Sequence, residues 1–466
     1  MTVSLDGLDP RPWNELLRGA EYCEAYLEES AGSSIQFEDS RVEQITAGSD
    51  QGVGLRFLRV DPRSRSAQTT FGSLNTLEPG AARSLGRRLV EFGKTVNGAK
   101  PLGNLESHRH LVVRDPSQVP VEAKIKMLAE VDRIVRSEFP SVRQVSLTCG
   151  ERHKTFAVLN SEGLCHREER RTVLFAVRIT AEKGGMLQTG YEVIGALKGW
   201  ELFGEVAPVA LGRAAARRAV TKLECPQAKA GDMPVILASS AGGTFVHEAI
   251  GHSLEADHVQ EGTSPAYRNK LGQTVAREFL SIVDDPTLPL YRGSYRRDDE
   301  GSEARPTLLV ERGVLKTYLY DRVTALKDGA ASNGHGRRES YHHKPIPRMS
   351  NLYIVPGSED PRRIVQELDR GLLVTKMGGG QVDTATGEFI FEVEEGFWVE
   401  SGVVRHMVRD ANLLGVGPEV LRSIDRLGWD IGWGIGTCGK QGQGVPVSDG
   451  QPTLRIPKLL VGGRES

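Results

Sequence analysis

Several things are scarce in this 466-residue chain. It has no run of eighteen apolar residues, which excludes a membrane-spanning helix. It has no block of five or more like charges and no basic stripe interleaved with aromatics, and its net charge is −2. Nucleic acid is therefore disfavoured as a direct partner, because binding phosphates requires concentrated cationic charge. Cysteine is sparse: Cys23, Cys149, Cys165, Cys225 and Cys438 are scattered and odd in number. That excludes a disulfide framework and leaves ligand or nucleophile as the special role for any one of them. The first residues, Met1-Thr2-Val3-Ser4-Leu5-Asp6, show no basic segment followed by an apolar one, so a cytoplasmic location is expected. No internal repeat of 20 to 50 residues is visible.

Glycine, in contrast, is plentiful at 53 residues, which favours many turns and strand connections over a helical bundle. The length exceeds one ordinary core, so more than one domain is expected. Helical spacing is read at 11–29, where Trp13, Leu16, Leu17, Ala20 and Cys23 recur, and at 81–96, 121–139 and 206–223. Strand patterns fall at 34–38, 52–58, 144–147, 155–159 and 172–179. Beyond residue 232 strands dominate: 233–238, a hairpin over 307–320, 387–392, 397–404 with Ser401-Gly402 as a turn, and 452–456. Asp360 before Pro361 is a helix N-cap signal, and a shorter helix is read over 418–427. The expected fold is α+β in two domains, 1–224 mixed and 225–466 strand-rich, with Cys225 to Asp232 as the linker.

The chain is organised around Gly242-Gly243-Thr244-Phe245-Val246-His247-Glu248-Ala249-Ile250-Gly251-His252. A strand, two glycines and a threonine lead into two imidazoles, with a carboxylate beside the first. Such a set suits a zinc ion with a built-in general base. The familiar zinc helix places its histidines at i and i+4. Here the step is i+5, and on a regular α-helix the two side chains would point about 140° apart. Both reach one metal only if the helix bulges or ends between them, and Gly251 is the residue expected to permit that break.

A catalytic zinc needs a third protein ligand. Glu255, Asp257 and His258 are the nearby choices; Cys438, in a glycine-rich segment, is a distant one with a strongly binding thiolate. Asp298-Asp299-Glu300-Gly301 reads as a solvated turn, Gly378-Gly379-Gly380 as a tight turn, and His342-His343 as surface loop. Arg348 lies in the same proline-punctuated stretch as the histidine pair.

The segment Phe245 to His252, with Leu254-Glu255 behind it, resembles the H-E-x-x-x-H signature of the TldD/PmbA metalloprotease family, long called modulators of DNA gyrase. So do Tyr295 to Gly301, Pro347-Arg348-Met349-Ser350-Asn351, Gly378 to Asp383, and Cys438-Gly439-Lys440 followed by Gln443, Val445-Pro446-Val447 and Gly450 to Leu454. These segments lie in family order and cover most of the chain from Met233 onward. The retained motif resembles the TldD-like, catalytic kind of subunit. The resemblance implies zinc on His247, His252 and Cys438, with Glu248 as base. It implies an intracellular peptidase for small or unfolded peptides, either a homo-oligomer or paired with a PmbA/TldE-like paralogue. Two rival readings differ in kind: a binding or assembly subunit whose metal is structural, and a regulator acting on DNA gyrase.

Overall fold

The computed structural model describes residues 4–18, 20–61, 67–90 and 99–463. Helix and strand are mixed throughout, and strand predominates. Seven strands between Tyr22 and Ala196 form one sheet, ordered Ala67–Leu74, Arg41–Val60, Tyr22–Glu38, Val142–Asn160, Cys165–Lys183 and Glu106–Arg109, with Met186–Ala196 also on Cys165–Lys183. Four of these strands run 17 to 20 residues, long enough to serve two cores. At one end Leu55, Phe57 and Leu159 pack with Trp13 and Leu16. At the other, Val145, Leu147, Phe175 and Val177 pack under the helices Val121–Glu138 and Pro208–Lys222. Leu128, Val131 and Val135 form the buried stripe of the first helix, at the spacing that identified it.

The helix expected over Arg11 to Glu29 is absent. Its apolar residues Trp13, Leu16 and Leu17 sit in two short 3₁₀ turns, and a strand begins at Tyr22. The alternation that would have announced the strand is hidden, because both of its faces are covered. Cys23, Ala25 and Leu27 enter one cluster, while Tyr26 packs with Phe156 and Tyr341 in another. The helix read at 81–96 is observed as Pro79–Val90, and 91–96 lies outside the described residues.

Beyond residue 230 there are two larger sheets. In one, Arg370–Val382, Gly231–Leu237, Leu454–Gly462, Asn412–Val416 and Glu388–Glu400 pair in that order, and Glu388–Glu400 pairs back onto Arg370–Val382. The ring therefore closes on itself. Ser401 and Gly402, both at positive φ, turn the chain into Val403–Val408 as expected. The triple glycine is no tight turn: it lies within Arg370–Val382, where pairing slips between Met377 and Gly380. A Cβ on Gly380 would come within 2.0 Å of the Phe391 ring, so glycine there makes room for an aromatic. The other sheet ends in the hairpin Gln443–Gln451 and Gly432–Lys440, which carries Cys438. Among the described residues no helix is long and apolar enough to cross a membrane.

Asp298, Asp299 and Glu300 do not form a solvated turn; they are 1%, 5% and 0% exposed. Glu300 accepts from the Arg56 guanidinium at 2.6 Å, and Arg56 also reaches Glu24 at 2.7 Å. Arg338 bonds to Glu24 and to the Asp299 carbonyl. Asp298 takes the backbone N–H groups of Glu300, Ser302 and Gly336. Arg56, distant in sequence, neutralises Glu300, while Asp298 and Asp299 are satisfied by backbone N–H groups and burial beside Glu300 pushes the Asp298 carboxyl well above its usual range; together the cluster stitches the first sheet to the second half of the chain. Removing one side of a buried pair leaves an uncompensated charge. Glu300→Ala should therefore lower unfolding stability by about 3–5 kcal/mol in urea titration; an unchanged midpoint would contradict this role.

Candidate metal centre

The strand Gly231–Leu237 delivers the chain to a 3₁₀ turn at Ser239–Ala241, and Gly242 reverses it at φ +75. Gly243 then packs directly on the strand carrying Asp449: a Cβ there would lie 2.4 Å from the Gly450 nitrogen. Its N–H donates to Asp449 Oδ1 at 2.9 Å. A short α-helical turn, Thr244–Val246, follows. Residues His247–Gly251 are a π-turn, and His252–Leu254 are 3₁₀.

The π-turn resolves the off-pattern spacing. The His252 N–H donates to the His247 carbonyl, an i→i+5 bond that stacks the two residues on one side. Their ring centroids are 5.2 Å apart and perpendicular. Gly251 plays a different part from the one expected. Its φ of −57 and ψ of −53 are those of an ordinary helix. Its lack of a side chain admits Met349 and Leu352, since a Cβ would meet the Met349 sulfur at 2.0 Å.

Cys438 arrives from the hairpin, buried, with Sγ 3.6 Å from His252 Nε2. One donor atom from each of His247, His252 and Cys438 falls within 4.8 Å of the others. The buried guanidinium of Arg348 donates to the carbonyls of Cys438 and Gln443, so it pins both strands of the hairpin. The nearby alternatives occupy a surrounding layer. Glu255 Oε2 lies 3.0 Å from His252 Nδ1, which leaves Nε2 facing the sulfur. Lys440 Nζ donates to Glu255 at 3.0 Å, to Asp257 at 2.7 Å and to the Pro347 carbonyl at 3.1 Å. His258 Nε2 stands 3.7 Å from Glu255. His247 Nδ1 is buried without a hydrogen-bond partner.

Charges are coupled along this chain of contacts. Burial would raise the Glu255 carboxyl, but Lys440 and His252 hold it well below the usual range. Burial would lower His252, yet Glu255 lifts it well above an ordinary imidazole. Burial would push the Cys438 thiol up, and the two imidazoles pull it well down, to the thiolate that binds metals. A thiolate with two imidazoles, one held by a carboxylate, suits a divalent transition metal. Glu248 is less enclosed, its side chain 26% exposed and its Oε2 4.0 Å from His252 Nε2. Sequence reasoning assigned no role to Lys440 or Asp449. Lys440 follows Cys438 by two strand positions and so shares its face, a signal that was available.

Three family models cover most of the sequence: the PmbA/TldA metallopeptidase domain 1 at residues 23–85, its central domain at 114–223 and its C-terminal domain at 230–463. The chain belongs to the PmbA/TldD metallopeptidase family. It is 31% identical over 458 residues to a Haemophilus influenzae protein named metalloprotease TldD homolog, covering 96% of this chain and 94% of that one. A Saccharolobus solfataricus protein named zinc metalloprotease TldD homolog matches at 35% over 248 residues, covering 53% and 55%. Two solved structures share the fold. A Thermotoga maritima protein described as a candidate modulator of a DNA gyrase has a TM-score of 0.77 at 21% identity, covering 95% of this chain and 96% of that one. TldE from Thermococcus kodakarensis has a TM-score of 0.71 at 18%, covering 97% and 98%.

Glu255→Gln removes the charge that orients His252. It should weaken metal affinity by about 10–100-fold in chelator competition; unchanged affinity would mean that Glu255 only fills space.

Proposed function

We propose that this member of the family is a zinc-dependent, TldD-like peptidase that hydrolyses peptide bonds in small or unfolded peptides. The observation that carries the reading is the buried His247, His252 and Cys438 donor set. Tetrahedral zinc, with bonds of about 2.3 Å to sulfur and about 2.0–2.1 Å to nitrogen, separates the two by about 3.6 Å. Cys438 Sγ and His252 Nε2 stand 3.6 Å apart. Three protein donors leave one position open, as in catalytic sites; a closed structural site would need a fourth. Glu255 and Asp257, the candidates for a fourth, are committed to Lys440. The Saccharolobus relative, named a zinc metalloprotease, also supports zinc.

Bound zinc would supply Lewis acidity, polarising the scissile carbonyl and acidifying water. Glu248, partly exposed beside the donor set, takes the proton of the attacking water and returns it to the leaving amine. His252 is held by Glu255 with its free nitrogen inward. A cleft of about 940 Å³ runs along Thr244, one helical turn before Glu248, and is walled by Tyr191, Tyr291 and Trp433. It has room for an extended peptide read through its main chain. The remaining elements of the proposal are a two-domain subunit dividing near residue 224, a cytoplasmic location without direct nucleic-acid contact, and assembly as a homo-oligomer or with a TldE-like paralogue.

Glu248→Gln should keep its metal and lose about 10²–10⁴-fold in peptidase rate, in the assembly in which wild type is active. Cleavage at the wild-type rate would rule out Glu248 as the base.

A further inference from the structure

Two guanidiniums, the buried Arg337 and the partly buried Arg292, have no carboxylate within ion-pair distance among the described residues. Arg337 is 3% exposed and spends its terminal nitrogens on the carbonyls of Met349 and Pro446. Arg292 donates to the Gly436 carbonyl and to Thr437 Oγ1. Carbonyl dipoles satisfy hydrogens but do not cancel a charge, and uncompensated charge away from water is costly. Both side chains line one cavity of about 270 Å³ between the first sheet and the Cys438 hairpin.

The other cations of this cavity have partners of their own. Arg152 and Lys154 share Glu28 at 3.6 and 3.1 Å, Arg170 has Glu168 at 2.6 Å, and Arg338 has Glu24. Two acids also line the cavity without ion-pairing there: Asp299 accepts the Arg338 backbone N–H at 2.8 Å and acts on Arg337 only from beyond ion-pair distance, and Glu339 accepts the Gly444 N–H at 2.6 Å. Arg170 Nη2 is buried without a partner. Burial lowers Arg292 below the usual arginine range, and Arg337 beside it lowers it further.

We propose that this cavity binds a small oxyanion, of the phosphate or carboxylate class, between Arg292 and Arg337. Guanidiniums grip such groups through paired N–H donors, and the volume leaves space for several waters at about 30 Å³ each. The site is separate from the metal centre. Thr437 lines it, and adjacent strand residues point to opposite faces, so Cys438 looks the other way. A bound anion would tie Arg292 and the hairpin to the first sheet, steadying the strand that supplies the metal's sulfur ligand.

The test is isothermal titration of metal-loaded full-length protein at constant ionic strength. One arm uses inorganic phosphate; the other uses N-acetyl-dialanine against its amide. Binding of phosphate, or of the free acid but not the amide, weakened at least tenfold in Arg292→Gln, is expected, and the arm that responds identifies the source of the anion. If circular dichroism shows Arg292→Gln unfolded, Arg152→Gln, on the exposed rim, should weaken binding several-fold instead. The same titration on His247→Ala must still show binding, since loss there would place the anion on the metal and overturn the proposal. Silence in both arms, or binding indifferent to the folded arginine variant, would equally overturn it.

Discussion

The hydrogen bond from the His252 N–H to the His247 carbonyl is the constraint on which the rest depends. The histidines stand five positions apart, and an α-helix would face them apart. The π-turn brings the rings to 5.2 Å, and the chain then tightens to 3₁₀ before extending at Glu255. That succession lets Glu255 fold back onto His252. An irregular helix of this kind persists only when its surroundings over-determine it. Here they do: Phe245 packs on Phe389 at 6.0 Å, Met349 and Leu352 crowd Gly251, and Gly417 leaves room for the Ala249 carbonyl. The helix is thus held by both of the larger sheets of the second half.

The hairpin completes what the helix begins. One strand supplies Cys438 to the donor set and, two residues on, Lys440 to the carboxylate that orients His252. Arg348 fixes the strand by its carbonyl. The charges therefore alternate from Lys440 through Glu255 and His252 to Cys438, so that each buried ion has a neighbour of opposite sign. Ligand geometry and electrostatic compensation come from the same eleven-residue helix and the same hairpin.

What was legible in the sequence is what local rules govern. The strand 233–238, the helix 121–139, the turn at Ser401-Gly402 and the cap at Asp360 follow from periodicity and turn chemistry, and all are present. The need for a bulge between the histidines was also legible, because the i+5 step demands it. The cause assigned to Gly251 was not, since its neighbours Met349 and Leu352 lie about 100 residues away. The same holds for Asp298 to Glu300: three acids before a glycine look solvated until Arg56 on Glu300 and the backbone N–H groups of Gly336 and Arg338 on the two aspartates are seen beside them. At Tyr22, burial of both strand faces erased the alternation that marks a strand. Spacing from Cys438 places Lys440 on the same strand face, but its partner Glu255 lies 185 positions away and only the fold brings the two together.

The central claim is that one metal ion is shared between the helix and the hairpin. Elemental analysis of purified wild type, His247→Ala and Cys438→Ala, each with its fold checked by circular dichroism, tests it most directly. The account predicts about one zinc per wild-type chain, lost in both variants while the fold survives. Zinc retained at full occupancy in Cys438→Ala would contradict the shared site, and a wild type without zinc would contradict the metallopeptidase reading itself.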